Sequence, residues 1–233
     1  MRFLILLIFS GYGHLYAQNS VQMQQTDSIA VSFMQAGGGY SVLYTGSPHE
    51  RPLSASNINH QYFNDHQFAL ARLSYRGILY PNEYLRFDLS RQELIIRSPK
   101  FASLVLSPEY VDFADLHGKH IIYFRHDSLK GSPSTGYYFL LHSGKCNVLE
   151  KNIATLKVFS QHDLHYTFSK RFYLYHADAY YTIRNKRSLL KVLQPHKKEL
   201  KKFISSNKLR FKNDADLFIP KIVAEYEKLS ESL

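Results

Sequence analysis

Twelve histidines and one cysteine are the residues of widest chemical reach in this 233-residue chain. Zinc-type metals take imidazole nitrogens in sets of three or four ligands. The best candidate pair is His117-Gly118-Lys119-His120. If Gly118-Lys119 is a two-residue hairpin turn, His117 and His120 close the hairpin and point to one side. A further ligand would have to come from His162-Asp163-Leu164-His165 or from His126-Asp127, and no spacing rule brings these together. No His-Glu-x-x-His helix is present. The chain is therefore read with no metal ligands and no cofactor.

Nucleophilic chemistry finds no better support. Cys146 lies in a strand-like stretch, Cys146-Asn147-Val148-Leu149-Glu150. A single cysteine cannot form an internal disulfide, and Cys146 reads as a buried thiol standing in for a small apolar side chain. There is no Gly-x-Ser-x-Gly elbow. The Gly/Ser-rich run 131–136 has no helix after it, and the run 37–41 lacks the lysine of a phosphate-binding loop. Asp88, Glu93, Asp112 and Asp115 are scattered, so no acid–base couple is named. No catalytic residue is assigned, and a non-enzymatic role is preferred.

Charge is the strongest signal. The net charge is +10, and residues 184–212 hold eleven Lys and Arg against Glu199 alone, so the rest of the chain balances. Eight of these cations are the candidate anion-contacting set: Lys191, Lys197, Lys198, Lys201, Lys202, Lys208, Arg210 and Lys212. The competing reading is a solvated outer face of a terminal helix. Solubility alone does not require such clustering, and like charges along one helix repel. Anionic lipid, polysaccharide or an envelope protein are the expected partners. Nucleic acid is disfavoured, because the run has no base-reading motif and its two aromatics, Phe203 and Phe211, read as core anchors.

The elements that must carry these residues follow from periodicity. Tyr (18) and Phe (16) are abundant while Trp is absent, a composition suited to pleated surfaces. From Phe68 to Ile183, short apolar or alternating runs are separated by turn residues: 68–75, 78–80, 84–89, 93–98, 101–107, 111–116, 120–124, 137–141, 146–150, 171–176 and 180–183, with 154–159 either prolonging the run at 146–150 or starting another strand. The pattern predicts an antiparallel meander, a curved sheet or partial barrel. After Ile183 the period changes to about 3.6. Leu189, Leu193, Leu200, Phe203 and Ile204 share one helix face, Pro195 splits the segment, and Leu217, Ile222, Val223, Tyr226 and Leu229 form the apolar side of a last helix that begins at Asn213 or Asp214. The fold class is α+β, with amphipathic C-terminal helices against the sheet.

Residues 1–17 read as a signal peptide: Met1-Arg2, the apolar run 3–9, and a small residue at Ala17. Residues 18–60 read as a polar N-terminal segment with loop at 45–60, 61–183 as the β body, and 184–233 as the basic helical part of the same domain. No later stretch is apolar enough to span a bilayer, which takes about 20 residues. Export to the periplasm or the outer-membrane periphery is expected, with the oligomeric state open.

Two stretches carry a resemblance. Leu43-Tyr44-Thr45-Gly46, Tyr62-Phe63, and Gly77, Tyr84, Leu85 and Asp88 match the front, while Lys186, Leu189, Leu190, Pro195, Lys197, Lys198, Leu200, Lys201, Phe203 and Ile204 match the close. In order and spacing they resemble a group of uncharacterised exported Bacteroidetes proteins. Phe87 stands where many members have Tyr, and His176-Ala177-Asp178-Ala179-Tyr180 replaces an Asp-Gly turn. The resemblance spans about residues 40–229. It implies an envelope location, a basic tail common to the group, and one unit of sheet plus helices. It supplies no activity.

Overall fold

A computed structural model describes residues 40–50, 59–99, 102–160, 163–212 and 214–231. The expected signal peptide and most of the polar N-terminal segment lie outside these residues. The described residues open with a short helix α1 (Tyr40–Leu43). Eleven strands follow: β1 (Ser47–Pro48), β2 (Ala69–Tyr75), β3 (Ile78–Asp88), β4 (Glu93–Arg97), β5 (Ser103–Val105), β6 (Val111–Leu116), β7 (Lys119–Phe124), β8 (Gly136–Ser143), β9 (Asn147–Ser160), β10 (Asp163–His176) and β11 (Ala179–Ile183). The C-terminal helices are α2 (Lys186–Val192), α3 (Lys197–Ser206) and α4 (Ala215–Glu231). The protein is α+β, with every sheet pairing antiparallel.

The strands form one open sheet in the order β1-β5-β4-β3-β2-β6-β7-β8-β9-β10-β11. Two meanders, β2–β5 and β6–β11, meet where β6 pairs with β2. Residues 106–110 must therefore carry the chain past β4, β3 and β2. A flat sheet would need about 19 Å for four strand spacings, close to the full extended reach of so short a linker. The sheet relieves this by curling. Further along, the Ala154 amide donates to the Leu89 carbonyl (3.1 Å), and Gln92 Nε2 donates to the carbonyls of both Leu89 and Asn152 (2.8 and 2.9 Å). The long β9–β10 hairpin thus touches the β3–β4 turn without closing a barrel.

Turn chemistry sets the registers. Arg76-Gly77, His117-Gly118 and Ala177-Asp178 all have positive φ at both turn residues, the geometry that matches strand twist in two-residue hairpins. The β6–β7 turn is therefore His117-Gly118, with Leu116 opposite Lys119, and not Gly118-Lys119. The runs 78–80 and 84–89 are one strand rather than two. Arg72 of β2 faces both Pro81 and Asn82, because Ala71 pairs with Glu83 and Leu73 with Tyr80. That bulge accommodates a proline, which has no N–H to give to a ladder. Two further expectations are corrected. Ser47–Pro48, in the stretch read as loop, pairs with β5, and β10 begins eight residues before Arg171.

Two apolar clusters share the sheet. Leu73, Tyr75, Tyr80, Leu85, Phe87, Leu94, Ile121, Tyr137 and Phe139 fill the inside of the curl, together with Ala154 and Tyr166 from the hairpin. Val148, Phe172, Leu174 and Ile183 pack instead against Leu189, Leu193, Leu200, Ile204, Ile222 and Val223 of the helical part. Even spacing along β9 puts Val148 and Ala154 on one face. The same hairpin face therefore meets helices at its base and the curled body farther out.

Candidate functional site: a cationic helix face and a polar seam

The helical part is built from its caps inward. Asn185 accepts the Ser188 amide at 2.9 Å, and Ser188 Oγ accepts the Asn185 amide at 3.1 Å. This reciprocal cap starts α2. Pro195 sits in the 3-10 turn Gln194–His196, where α2 ends and α3 opens. The apolar stripe docks as the period requires: Leu189, Leu193, Leu200 and Ile204 are buried, and Phe203 packs at the edge.

The opposite face is cationic and open. Lys191, Lys197, Lys198, Lys201, Lys202, Lys208, Arg210 and Lys212 are all exposed, and among the described residues none forms an ion pair. Carboxylates of α4 point the other way. Asp216 meets Lys170 (3.3 Å) and Lys119 (3.5 Å), Glu227 meets His142 (2.9 Å) and the Cys146 amide (2.7 Å), and Glu231 meets Lys145 (3.2 Å). Three of the four acidic groups of α4 are thus engaged with the sheet, and among the described residues none of the eight cations is paired with them.

One correction bears on this face. Leu217, expected on the apolar side of α4, is 54% exposed, and Phe218 and Ile219 take the inward positions. The buried set 218, 219, 222, 223 and 226 keeps the i, i+4 spacing, which turns Leu217 outward. Leu217 borders a cleft of about 300 Å³ together with Lys208, Arg210 and Lys221. An exposed leucine thus stands among three cations and one carboxylate, Asp214.

The second feature lies on the hairpin face between the two apolar clusters. Glu150, almost fully buried, holds Lys170 Nζ at 3.1 Å, and Lys170 bridges it to Asp216. Burial opposes the charge on Lys170, but Glu150 and then Asp216 carry its pKa above the ordinary value. Beside this pair is a cleft of about 420 Å³ lined by Asn59, His60, Tyr62, Phe63, Asn64, Leu89, Asn152, Ile153, Phe168, Ser169 and Lys170. Asn152 Oδ1 is buried there with no hydrogen-bond partner among the described residues. Phe168 is 54% exposed at the cleft.

The histidines and the cysteine resolve differently from their sequence spacing. His120 Nδ1 meets Asp115 Oδ1 at 2.7 Å, while His117 Nδ1 meets the Asn64 side chain at 3.2 Å, so the pair does not converge. His126 caps its own loop through Pro133 O, with Thr135 and Ser132 accepting nearby amides. Residues 131–135 are loop, and Gly136, the last of the run read as loop, opens β8. His162 lies outside the described residues. Cys146 Sγ is 3.4 Å from His176 Nδ1, and Tyr226 Oη is 3.4 Å from His176 Nε2. Burial, with the Glu227 carboxylate adding to it, pushes the Cys146 thiol up to about 11. A neutral buried thiol is not a nucleophile, which agrees with the reading of Cys146 as packing. Asp112 accepts from Ser74 Oγ and the Gly77 amide, and Asp88 accepts from the Ser90 and Arg91 amides. These carboxylates hold turns.

Among the described residues, no helix is long and apolar enough to cross a membrane. No family model, curated protein or solved structure matches the chain.

Proposed function

We propose that this protein is an exported, envelope-associated binding or scaffolding module without catalytic activity, and that its basic helical end contacts an anionic lipid surface. The observation that carries the reading is the exposed set of eight cations on and after α2 and α3, unpaired among the described residues, on a helix pair whose apolar stripe is docked inward. Each Lys or Arg near an anionic membrane contributes about 1 kcal/mol, decaying over a Debye length. Leu217 beside Lys208, Arg210 and Lys221 adds an apolar contact of the kind that interfacial binding uses. The test is co-sedimentation of the full chain with vesicles containing phosphatidylglycerol, against vesicles of phosphatidylcholine alone. Binding to the anionic vesicles at low salt, lost at high salt, supports the reading. Equal behaviour with both vesicles rejects it, and binding to an acidic polysaccharide but not to vesicles replaces lipid as the partner.

A second reading, a small-ligand carrier or hydrolase, is favoured by the 420 Å³ cleft and the unpartnered Asn152 Oδ1 within it. Most of the inner sheet face is filled by Leu, Tyr, Ile and Phe, so a ligand would sit at the seam rather than inside the curl. The cleft presents one histidine and one lysine but no carboxylate, which fits binding better than hydrolysis.

A further inference from the structure

The loop that forms one wall of the seam cleft carries a second kind of chemistry. His60, Asp65 and His66 each offer one ligand atom, and these atoms all lie within 4.8 Å of one another. The chain reverses at Asn64, which has φ of 62°, and this brings residues 65 and 66 back beside residue 60. The His60 and His66 ring centroids are 5.7 Å apart.

The loop is held in this shape from outside the cluster. Phe63 N donates to Phe87 O (2.9 Å), and Leu89 N donates to Gln61 O (3.0 Å). Arg86 Nη1 donates to His66 O (2.8 Å), and its guanidinium lies 3.9 Å over the Tyr62 ring. The Asn59 amide pairs with both backbone groups of Tyr166 (2.7 and 2.9 Å). Pre-organisation of this kind lowers the ordering cost of binding.

His60 Nδ1 is enclosed and has no hydrogen-bond partner among the described residues. His66 Nδ1 stands 3.1 Å from Asp65 Oδ1. The Gln67 amide donates to the same oxygen at 3.0 Å.

We propose that His60, Asp65 and His66 form a zinc-type divalent metal site, with a fourth position left for water or for a ligand in the adjoining cleft. Two imidazole nitrogens and one carboxylate oxygen suit zinc, nickel or copper, whereas calcium and magnesium take all-oxygen sets. Tetrahedral ligation draws the donors to about 3.3 Å from one another. The side chains of His66 and Asp65 are 65% and 48% exposed, and their rotation supplies that movement while the loop backbone stays fixed. This site does not depend on the cationic helix face.

The test is calorimetric titration of the full chain with zinc chloride, repeated with magnesium chloride and with His66→Ala, Asp65→Asn and His165→Ala. One zinc per chain is expected, with no magnesium binding. Affinity should fall more than about tenfold in His66→Ala and Asp65→Asn and stay unchanged in His165→Ala. Thermal melts of the metal-free variants should match wild type, because the two altered side chains are exposed. Absence of zinc binding, or His66→Ala binding zinc as wild type does, overturns the proposal.

Discussion

Lys151 carries an ammonium group into a place with no counter-charge. It is nearly buried on β9, its Nζ donates to the Tyr137 carbonyl at 3.0 Å, and it lies 4.7 Å over the Tyr138 ring. Gly136 leaves the necessary room, since a Cβ there would stand 2.6 Å from Lys151 Nζ. Burial lowers the Lys151 pKa to about 8 from 10.5. From about pH 8 upward the unfolded chain binds a proton that the folded one lacks, so stability rises with pH. Above about pH 10 the buried Tyr62, Tyr137 and Tyr138, whose pKa values are raised, act in the other sense: the unfolded tyrosines ionise first. Urea melts should show stability climbing between pH 8 and 10. Lys151→Met should flatten that rise and add about 1–3 kcal/mol at pH 7. A flat wild-type profile, or a less stable variant at pH 7, contradicts this account. Some of the residue scale was legible. Cys146 as a packed thiol and the cationic positions follow from composition and period alone. The His60, Asp65 and His66 cluster does not, because it depends on a reversal at Asn64 and on bonds to β3 and β10 from far along the chain.

At the scale of elements, periodicity did most of the prediction. The switch from a two-residue beat to a helical one after Ile183 located α2 and α3 and assigned their buried faces. Pro195 marked the break between them. Proline misled at Pro81, where a bulge opposite Arg72 lets β3 run through, and phase misled at Leu217, one position from the true inward stripe. The polar anchor of α4 was not visible at all, since Asp216 reaches Lys170 on β10 and Lys119 on β7. Burial alone would raise the Asp216 pKa, but Lys170 and then Lys119 hold it below the ordinary carboxylate value. Its contribution is thus present above the unfolded value of 3.8 and is lost as pH falls through the folded one. Asp216→Asn should cost about 1 kcal/mol at pH 7 and nothing at a pH below both values. Equal stability of the two proteins at pH 7 would remove Asp216 as the anchor of α4.

Across the whole molecule, antiparallel strands with helices were readable, but the strand order and the curl were not. Nothing local in residues 106–110 says that β6 returns to β2, and the contact of Ala154 with Leu89 depends on the curl itself. The result is a body with two unlike outlets: a seam where the apolar clusters meet, and a helical end that turns its lysines outward. The balance of charge explains the second. Asp216, Glu227 and Glu231 tie α4 to the sheet, and the eight exposed cations of residues 191–212 are left without them. The most direct measurement is titration of phosphatidylglycerol vesicles with wild type and with Lys198→Glu/Lys201→Glu/Lys202→Glu, both shown by circular dichroism to melt alike. The account predicts salt-sensitive binding of the wild type and its near-complete loss in the variant. A folded variant that binds as the wild type does would contradict it.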